Sequence, residues 1–205
     1  MKKVYKKKIV ITGGNGLIGS HFSNKLKHKY RIIKYPYKIQ NFKKFDKWIV
    51  NKDFDYFVHF AALTKKKSLI NKKKINLINV KATKKMINSL NNQKIKSFKY
   101  FLFISSSHVY GYSKKKISEN MQRIPQNKYG YSKKNVEDYI IKNRKNLDFK
   151  IGIARLFNIT GKNQREGFFI KDIIKKINNS DKINNINKFR DFIHIDDVIK
   201  SLKII

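Results

Sequence analysis

The stretch "KKKIVITGGNGLIG", residues 6–19, joins a short run of β-branched residues to a glycine-rich turn. The run predicts a buried strand, and the turn is followed by apolar residues at helical spacing: Leu17, Ile18, Phe22 and Leu26. Glycines in such a turn let the backbone bend tightly and approach a pyrophosphate, and they let the helix pack on the strand. The helix N-terminus then faces negative charge. The stretch therefore predicts a dinucleotide-binding unit.

Strand-like and helix-like segments alternate along the rest of the chain. Four more apolar segments predict strands: "YRIIKY", "DYFVHFAAL", "FKYFLFISSS" and "FKIGIARLFNIT". Helical spacing of apolar residues predicts helices over residues 15–29, 42–49, 75–90 and 129–144. Because the strands are apolar throughout, they favour a parallel sheet covered on both faces. The predicted fold class is α/β, a doubly wound parallel sheet of the Rossmann type.

The net charge of +36 raises the question of a nucleic-acid partner. Only six of the 49 basic residues are arginine, although arginine is favoured for forked contacts to bases and phosphates. The lysines are spread along the whole chain with many Asn and Ile residues, a composition typical of an AT-rich genome. We therefore expect no specific nucleic-acid partner, and only weak, salt-sensitive binding to polyanions.

The chain contains no cysteine, so disulfides, thiolate nucleophiles and cysteine-based zinc sites are excluded. The apolar run near the N-terminus is too short for a signal peptide, and no apolar run approaches the roughly 20 residues of a membrane span. The sequence shows no spacing typical of metal ligands. The composition predicts a cytoplasmic protein with no membrane partner and no metal.

The segment "YGYSKKNVEDYI" begins at Tyr129 and places Lys133 four residues later. On a helix, this spacing puts both side chains on one face, one turn apart. An ammonium group beside a phenol favours the phenolate, so the pKa of Tyr129 is expected to fall below its ordinary value of about 10. The pair is a candidate general acid with the group that tunes it, although such pairs also arise by chance in a lysine-rich chain.

A series of motifs resembles the extended branch of the short-chain dehydrogenases/reductases, the NAD-dependent epimerase/dehydratase family, which acts on nucleotide sugars. In chain order the motifs are "TGGNGLIG", "DYFVHFAAL", "NVKAT" (with Ala82 where the family has glycine), "ISSSHVYG", "YGYSK", "RLFNITG" and "RDFIHIDDV". The resemblance runs over essentially the whole chain. It implies an NAD(P)-binding Rossmann domain over residues 1–160 and a partial C-terminal substrate-binding lobe over residues 161–205.

The resemblance also implies roles for individual residues. Tyr129 would exchange a proton with the sugar as general acid/base, Lys133 would lower the pKa of Tyr129 and bind the nicotinamide ribose, and Ser106 would donate to the same sugar oxygen. The implied cofactor contacts are Gly13, Asn15, Gly16, Leu17, Ile18, Gly19, Lys34, Ala61, Ala62, Asn79, Tyr129 and Lys133. The implied substrate contacts are Ser107, His108, Asn158, Arg190 and Phe192.

Two departures from the family patterns limit the candidate cofactors and the candidate reactions. The second predicted strand ends in "IIKYPYK", which offers no carboxylate for the ribose 2′-OH of NAD, whereas Lys34 or Lys38 can pair with a 2′-phosphate. NADP is therefore slightly favoured over NAD. Sugar 4,6-dehydratases of the family carry Asp-Glu where this chain has Ser107 and His108. We expect a 4-epimerase or a 4-keto-sugar reductase acting on a nucleotide sugar, and both remain open.

Family members usually continue well past the position of Ile205 and complete the sugar-binding lobe there. Two interpretations therefore remain: an enzyme, or a catalytically silent NAD(P)-binding protein that lacks a complete sugar site. His59 and His194 are interpreted as histidines with satisfied partners in the core or behind the site, and neither is assigned to catalysis. The apolar residues near the C-terminus are expected to lack cover, which predicts self-association, with a homodimer as one form: Val198, Ile199, Leu202, Ile204 and Ile205.

Overall fold

The computed structural model describes residues 6–64, 71–113, 116–164, 166–183 and 190–202. Its main sheet consists of β1 (Lys8–Thr12), β2 (Arg31–Lys34), β3 (Tyr56–His59), β4 (Tyr100–Ser106) and β5 (Lys150–Leu156). All neighbouring strands are parallel, and their order is β2-β1-β3-β4-β5. The predicted α/β fold with a parallel Rossmann-type sheet is confirmed.

Helices connect the strands, and their bounds are α1 (Leu17–Leu26), α2 (Phe42–Ile49), α3 (Lys72–Ile75), α4 (Ala82–Asn92), α5 (Lys128–Asn143), α6 (Phe169–Asn178) and α7 (Ile195–Ser201). A π-helical segment, Asn76–Lys81, joins α3 to α4, so the helix predicted over residues 75–90 is not purely α-helical. Short 3₁₀ segments follow β4 (Ser107–Val109) and α5 (Arg144–Asn146).

Both faces of the main sheet are covered by helices. On one face, Val10, Phe57 and Phe101 of three adjacent strands pack with α2, α4 and α5. On the other face, Ile9 and Val58 pack with α1 and α7. Each of these five side chains is at most 1% exposed, and burial of such a side chain contributes about 1.5–3 kcal/mol. This two-sided burial explains why the strands are apolar throughout.

The apolar segment 149–160, predicted as one strand, forms two strands in different sheets. β5 pairs with β4 as far as the residue pair Ser106 and Leu156. The chain turns into a 3₁₀ segment directly after Ser106, so the backbone beyond Leu156 leaves the main sheet. That backbone forms β6 (Asn158–Thr160), which pairs in parallel with β7 (Phe192–His194). The second sheet thus combines residues from both sides of the boundary predicted at residue 160.

The C-terminal helix α7 packs against α1 on the outer face of the main sheet. Val198, Ile199 and Leu202 are therefore at most 5% exposed, and the prediction that they lack cover is wrong for these three residues. Ile204 and Ile205 lie outside the described residues. Within the ranges that the structure describes, no helix combines the length and the apolar character needed to cross a membrane.

Candidate active site

The glycine turn between β1 and α1 is closely packed on one side and open on the other. Gly13 has a φ of +69°, and a Cβ there would lie 2.7 Å from the backbone nitrogen of Ala61. A Cβ on Gly19 would lie 2.4 Å from the carbonyl oxygen of Gly13, so both positions require glycine. A Cβ on Gly16 would contact only that same oxygen among the described residues, at 3.2 Å. The exposed edge at Asn15 and Gly16 is therefore free to receive a diphosphate.

Lys34 lies over the same turn from the end of β2. A Cβ on Gly14 would lie 2.9 Å from Cγ of Lys34, so the aliphatic part of the lysine covers Gly14. Lys34 is nevertheless exposed, and Leu17 and Ile18 at the start of α1 are partly exposed. The stem of a positively charged side chain thus lies beside the turn, and the N-terminus of the following helix favours an anionic group.

Ala61 and Ala62, the residues predicted to lie against the cofactor, flank the glycine turn at the end of β3. Both are partly exposed. The backbone amide of Ala61 donates to Oγ1 of Thr12 at 3.3 Å, which fixes the loop after β3 against β1.

Asn79 has a different position from the one expected of a cofactor contact. It is buried in the π-helical segment, at 2% exposure. Its Oδ1 accepts a hydrogen bond from the Leu63 amide at 2.8 Å, and its Nδ2 donates to the Leu63 carbonyl and to Oγ of Ser132, both at 3.0 Å. The Asn79 side chain thus links the loop after β3 to α5, so its influence on a cofactor would pass through that loop.

His59, at the end of β3, is completely buried and has a partner on each ring nitrogen. The hydroxyl of Thr83 donates to the Asn79 carbonyl at 2.9 Å, so it can only accept from His59 Nε2, at 3.0 Å. Nδ1 of His59 is then the unprotonated nitrogen and accepts from Oγ1 of Thr12 at 2.8 Å. Burial lowers the pKa of His59 to about 3, and the positive charge of Lys133 makes a smaller contribution in the same direction. The interpretation of His59 as a satisfied core histidine is confirmed.

The three predicted catalytic residues meet at the carboxyl end of β4. Ser106 is the last residue of β4, and its side chain lies close enough to the phenol of Tyr129, in the first turn of α5, to lower the pKa of that phenol. One turn later, Nζ of Lys133 lies 5.8 Å from the centroid of the Tyr129 ring. The carboxyl end of the strands is where open parallel sheets bind their ligands.

The expected effect of Lys133 on Tyr129 is not found in the structure. Burial raises the pKa of Tyr129 to about 12, and only the hydrogen bond from Ser106 acts in the opposite direction. The prediction of a lowered pKa for Tyr129 is therefore wrong for the unliganded chain. Nζ of Lys133 donates instead to the carbonyl of Ile104 at 2.6 Å. Tyr129 is consequently a neutral phenol near neutral pH, which is the proton-donating form.

Lys133 is itself a perturbed group. It is 2% exposed, and burial lowers its pKa to about 7, while the charge of Glu137 opposes that shift. Its Nζ also lies 4.7 Å from the centroid of the Phe103 ring. A lysine of this kind changes its charge near neutral pH, which is typical of functional sites.

The predicted substrate contacts fall into two groups. Ser107 and His108 form the 3₁₀ segment after Ser106, and the His108 ring lies edge-on to the Tyr129 ring with centroids 5.8 Å apart. These residues are therefore beside the candidate general acid. Nδ1 of His108 also lies 3.4 Å from Nδ2 of Asn127, the residue that caps α5.

The second group belongs to the small sheet. Asn158 donates to the carbonyl of Asp191 at 2.9 Å, which ties β6 to β7. The guanidinium of Arg190 lies 4.6 Å from the centroid of the Phe169 ring, and Phe192 stacks on the same ring at 6.0 Å. The structure thus brings Asn158, Arg190 and Phe192 together.

His194, interpreted from the sequence as a histidine in the core or behind the site, is a half-exposed capping residue at the end of β7. Half of its side chain is exposed. Its Nδ1 accepts from the backbone amide of Asp196 at 3.3 Å, at the start of α7. The core interpretation of His194 is therefore wrong.

Glu137 is a feature of the site that sequence reasoning missed. Its side chain is fully buried on α5, where it accepts hydrogen bonds from Ser105, Arg123 and Arg155. The available signal was its spacing, because Glu137 follows Lys133 by four residues and therefore shares its face of the helix. The partners of Glu137 come from distant parts of the chain, which the spacing does not reveal.

Comparison with solved structures shows the same fold. MoeE5 in complex with UDP-glucose and NAD superimposes with a TM-score of 0.84 at 22% identity, covering 96% of this chain and 70% of MoeE5. The UDP-N-acetylglucosamine 4-epimerase from Methanobrevibacter ruminantium M1, in complex with UDP-N-acetylmuramic acid, gives 0.82 at 23% identity, with 96% and 72% covered. RMD from Pseudomonas aeruginosa, complexed with NADPH, gives 0.81 at 23% identity, with 96% and 73% covered.

Sequence comparison identifies the family. No curated protein sequence matches this chain. The family model described as "NAD dependent epimerase/dehydratase family" matches residues 9–205, which include the glycine turn, the Ser106–Tyr129–Lys133 group and both strands of the small sheet. The chain therefore belongs to the NAD-dependent epimerase/dehydratase family.

Proposed function

We propose that this chain catalyses hydride transfer at the 4-position of a nucleotide-activated sugar, as a 4-epimerase or a 4-keto-sugar reductase, with Tyr129 as general acid/base. The observation that carries the proposal is the convergence of three residues at the carboxyl end of β4: the side chain of Ser106 lies beside the phenol of Tyr129, and Lys133 follows one turn further along α5. Two hydroxyl groups held together in this way can both bond a single sugar oxygen.

Tyr129 and Ser106 would divide the work on that oxygen. A neutral Tyr129, with its pKa raised to about 12, donates its proton as a carbonyl is reduced to a hydroxyl. Ser106 donates to the same oxygen and supports the negative charge that develops there. The opposite step, removal of a proton from a sugar hydroxyl, requires the phenolate, so it needs added positive charge beside Tyr129.

Lys133 is placed to supply part of that charge and to hold a ribose. An ammonium group has three N–H donors, and one of them is used by the carbonyl of Ile104. Two donors therefore remain for a ribose hydroxyl and the region of the phenol. Because the pKa of Lys133 is about 7, a bound partner that favours the ammonium form would raise its charge at neutral pH.

The dinucleotide would lie along the carboxyl ends of β1, β3 and β4. Its nicotinamide would take a hydride from C4 and return it in a 4-epimerase, or donate a hydride to C4 in a 4-keto-sugar reductase. The exposed edge of the glycine turn at Gly16 fits its diphosphate, and the small Ala61 and Ala62 fit its approach to the sheet. We infer that the cofactor is NADP or NAD, with NADP slightly favoured, because Lys34 lies over the turn and can pair with a 2′-phosphate.

The sugar nucleotide would extend from Tyr129 towards the small sheet. Ser107 and His108 lie on the Tyr129 side, and Arg190 offers a guanidinium that can fork onto a diphosphate. The bound UDP-sugars of the similar structures support this substrate class.

A panel of UDP- and GDP-sugars, incubated with NAD, NADH, NADP or NADPH, tests the proposal. The expected result is either a 4-epimer of one sugar or cofactor-dependent reduction of one 4-keto sugar, with both activities lost in Tyr129→Phe. Tight cofactor binding without turnover of any sugar would instead support the alternative of a catalytically silent NAD(P)-binding protein.

A further inference from the structure

Three side chains at four-residue spacing on α5 contact three consecutive residues at the end of β4. Tyr129 lies beside Ser106, Lys133 bonds the carbonyl of Ile104, and Glu137 bonds Ser105. The distance from Oε1 of Glu137 to Oγ of Ser105 is 2.5 Å. Glu137 is therefore the third connection between the helix that carries the candidate general acid and the strand that carries its serine partner.

Glu137 is also the centre of a buried ionic cluster. Its Oε2 accepts from Nη1 of Arg123 and from Nη2 of Arg155, both at 2.9 Å. Arg155 extends the cluster across β5, since its Nη1 donates to the hydroxyl of Tyr110 at 2.5 Å and to the carbonyl of Glu119 at 2.8 Å. The cluster thus joins α5, β4, β5 and the segment that follows Ser106.

A buried carboxylate is expensive to keep unless its partners satisfy it, and removal of one partner of such a pair typically destabilises a protein. The chain could have closed this contact with apolar residues, as it does elsewhere on α5 with Val136 and Ile140. Glu137 instead places a fully buried negative charge one turn from Lys133. The charge acts on the one lysine of α5 that is itself buried.

We propose that Glu137 is a positioning residue for the Tyr129–Lys133 pair: it holds α5 in register with the end of β4 and keeps Lys133 in the ammonium form that binds a cofactor ribose. This inference rests on the proposed function, in which Lys133 contacts the ribose. Burial of Lys133 lowers its pKa and favours the neutral form, whereas the negative charge of Glu137 raises that pKa and favours the ammonium form.

The other groups described below that face Lys133 are uncharged, so they do not stabilise its ammonium form as the carboxylate of Glu137 does. On β4 it meets the neutral Ile104 carbonyl and the Phe103 ring, and on α5 it meets the neutral phenol of Tyr129. From β3, His59 interacts with the lysine charge but is held neutral by burial. Among the described residues, the charge that acts directly on Lys133 is that of Glu137, which is in turn bonded to the cations Arg123 and Arg155.

The test measures the dissociation constant of NADH and of NADPH from pH 5.5 to 9.5, by cofactor fluorescence, in variants that pass a thermal-unfolding check. In the wild type, affinity should fall as Lys133 loses its proton, and Lys133→Met should abolish this pH dependence. In Glu137→Gln the midpoint of the fall should move to lower pH by about 1 unit, so that binding at pH 8 weakens at least about threefold.

The matched control is Asp138→Asn, which removes the neighbouring carboxylate and its contact to Nη2 of Arg123 at 2.7 Å. Its side chain is half exposed, and it should leave the midpoint unchanged. If Glu137→Gln does not fold, the paired change Glu137→Gln with Arg155→Gln removes the carboxylate without leaving Arg155 unpaired. A smaller shift in the same direction is then expected, because the positive charge of Arg155 is lost as well.

The outcomes separate this inference from the proposed function. A wild type whose cofactor affinity does not depend on Lys133 would contradict the proposed function. A wild type that responds to Lys133→Met, together with a folded Glu137→Gln or paired variant that keeps the wild-type midpoint, would overturn the role of Glu137 alone.

Discussion

The ammonium group of Lys133 lies 2.6 Å from the backbone carbonyl of Ile104, and this hydrogen bond fixes a buried lysine beneath the candidate active site. The bond couples α5 to β4 at the level of Tyr129. Burial, rather than the charge of Lys133, determines the pKa of Tyr129. We therefore expect both the stability of the fold and the affinity for the cofactor to depend on pH through the charge state of Lys133.

Lys133→Met should stabilise the unliganded protein below about pH 7, where the wild type must bury an ammonium group. The folded pKa is about 7 and the ordinary value is 10.5, so between these values the unfolded chain binds the extra proton. The stability of the wild type therefore rises with pH over this window, and the advantage of the variant should shrink from pH 6 to pH 10. Melting temperatures across this range measure the effect.

Lys142→Met provides the control, because it removes a positive charge from an exposed position on the same helix. An advantage of Lys133→Met that stays constant with pH would show that burial does not perturb this lysine.

His59→Gln should reduce the acid sensitivity of the fold. The folded pKa of His59 is about 3 and the ordinary value is 6.5, so the unfolded chain binds the extra proton between them. This contribution to the stability of the wild type is complete above pH 6.5 and is lost as pH falls towards 3. Urea unfolding at pH 7 and pH 4.5 should show a smaller pH-dependent loss in His59→Gln than in the wild type.

The exposed His28 offers a matched substitution, His28→Gln. Equal pH-dependent losses in the wild type, His59→Gln and His28→Gln would contradict the account of the buried histidine.

The glycine turn allows stability and binding to be separated. Gly13→Ala should destabilise the fold by about 2 kcal/mol, because φ is +69° and the new Cβ would clash with the Ala61 backbone. Gly16→Val should destabilise the fold less than Gly13→Ala, since Gly16 has an extended backbone with φ of −80° and the new Cβ would lie 3.2 Å from the Gly13 carbonyl oxygen. The valine should, however, fill the space proposed for the diphosphate. Calorimetry should show cofactor binding weakened at least about tenfold, or ~1.4 kcal/mol.

If Gly16→Val binds the cofactor as tightly as the wild type does, the diphosphate does not bind at the glycine turn.

Lys34→Glu should weaken NADPH binding by about tenfold and affect NADH much less, since only NADPH carries a 2′-phosphate to be repelled by the new carboxylate. The residue lies over Gly14, at the end of β2. Titration of both cofactors into the same variant gives the ratio directly. Lys38→Glu makes the same charge change four residues further along the chain. Equal losses of NADH and NADPH affinity in Lys34→Glu would show that Lys34 does not contact the 2′-phosphate.

The sequence was sufficient for features that depend on local pattern. Three such features depend on neighbouring residues, and the structure confirms each of them: the glycine turn between a strand and a helix, the apolar strands, and the shared helix that carries Tyr129 and Lys133. The division of residues 149–160 into two strands was not predictable in this way. It depends on where β4 ends, because β5 loses its partner at the level of Ser106.

The electrostatics of the site depend on packing and were predicted less well. The spacing of Tyr129 and Lys133 indicated that they share a helix face, but not that burial would outweigh the lysine charge and raise the pKa of Tyr129. Glu137 was missed because its partners Arg123, Arg155 and Ser105 lie 14, 18 and 32 residues away in the chain. Such contacts follow from the fold and leave no periodic pattern.

The most direct test of the proposed function compares Tyr129→Phe with Tyr131→Phe. Both changes remove one phenolic oxygen, but Tyr131 is 60% exposed, whereas Tyr129 lies beside Ser106. The measurement is the rate of 4-epimerisation or 4-keto reduction of the sugar identified by the panel, with cofactor affinity determined in parallel. We predict that Tyr129→Phe loses at least about a thousandfold in rate, or ~4 kcal/mol of transition-state stabilisation, at nearly unchanged cofactor affinity. Equal rates in the two variants would contradict the assignment of Tyr129 as the catalytic acid/base.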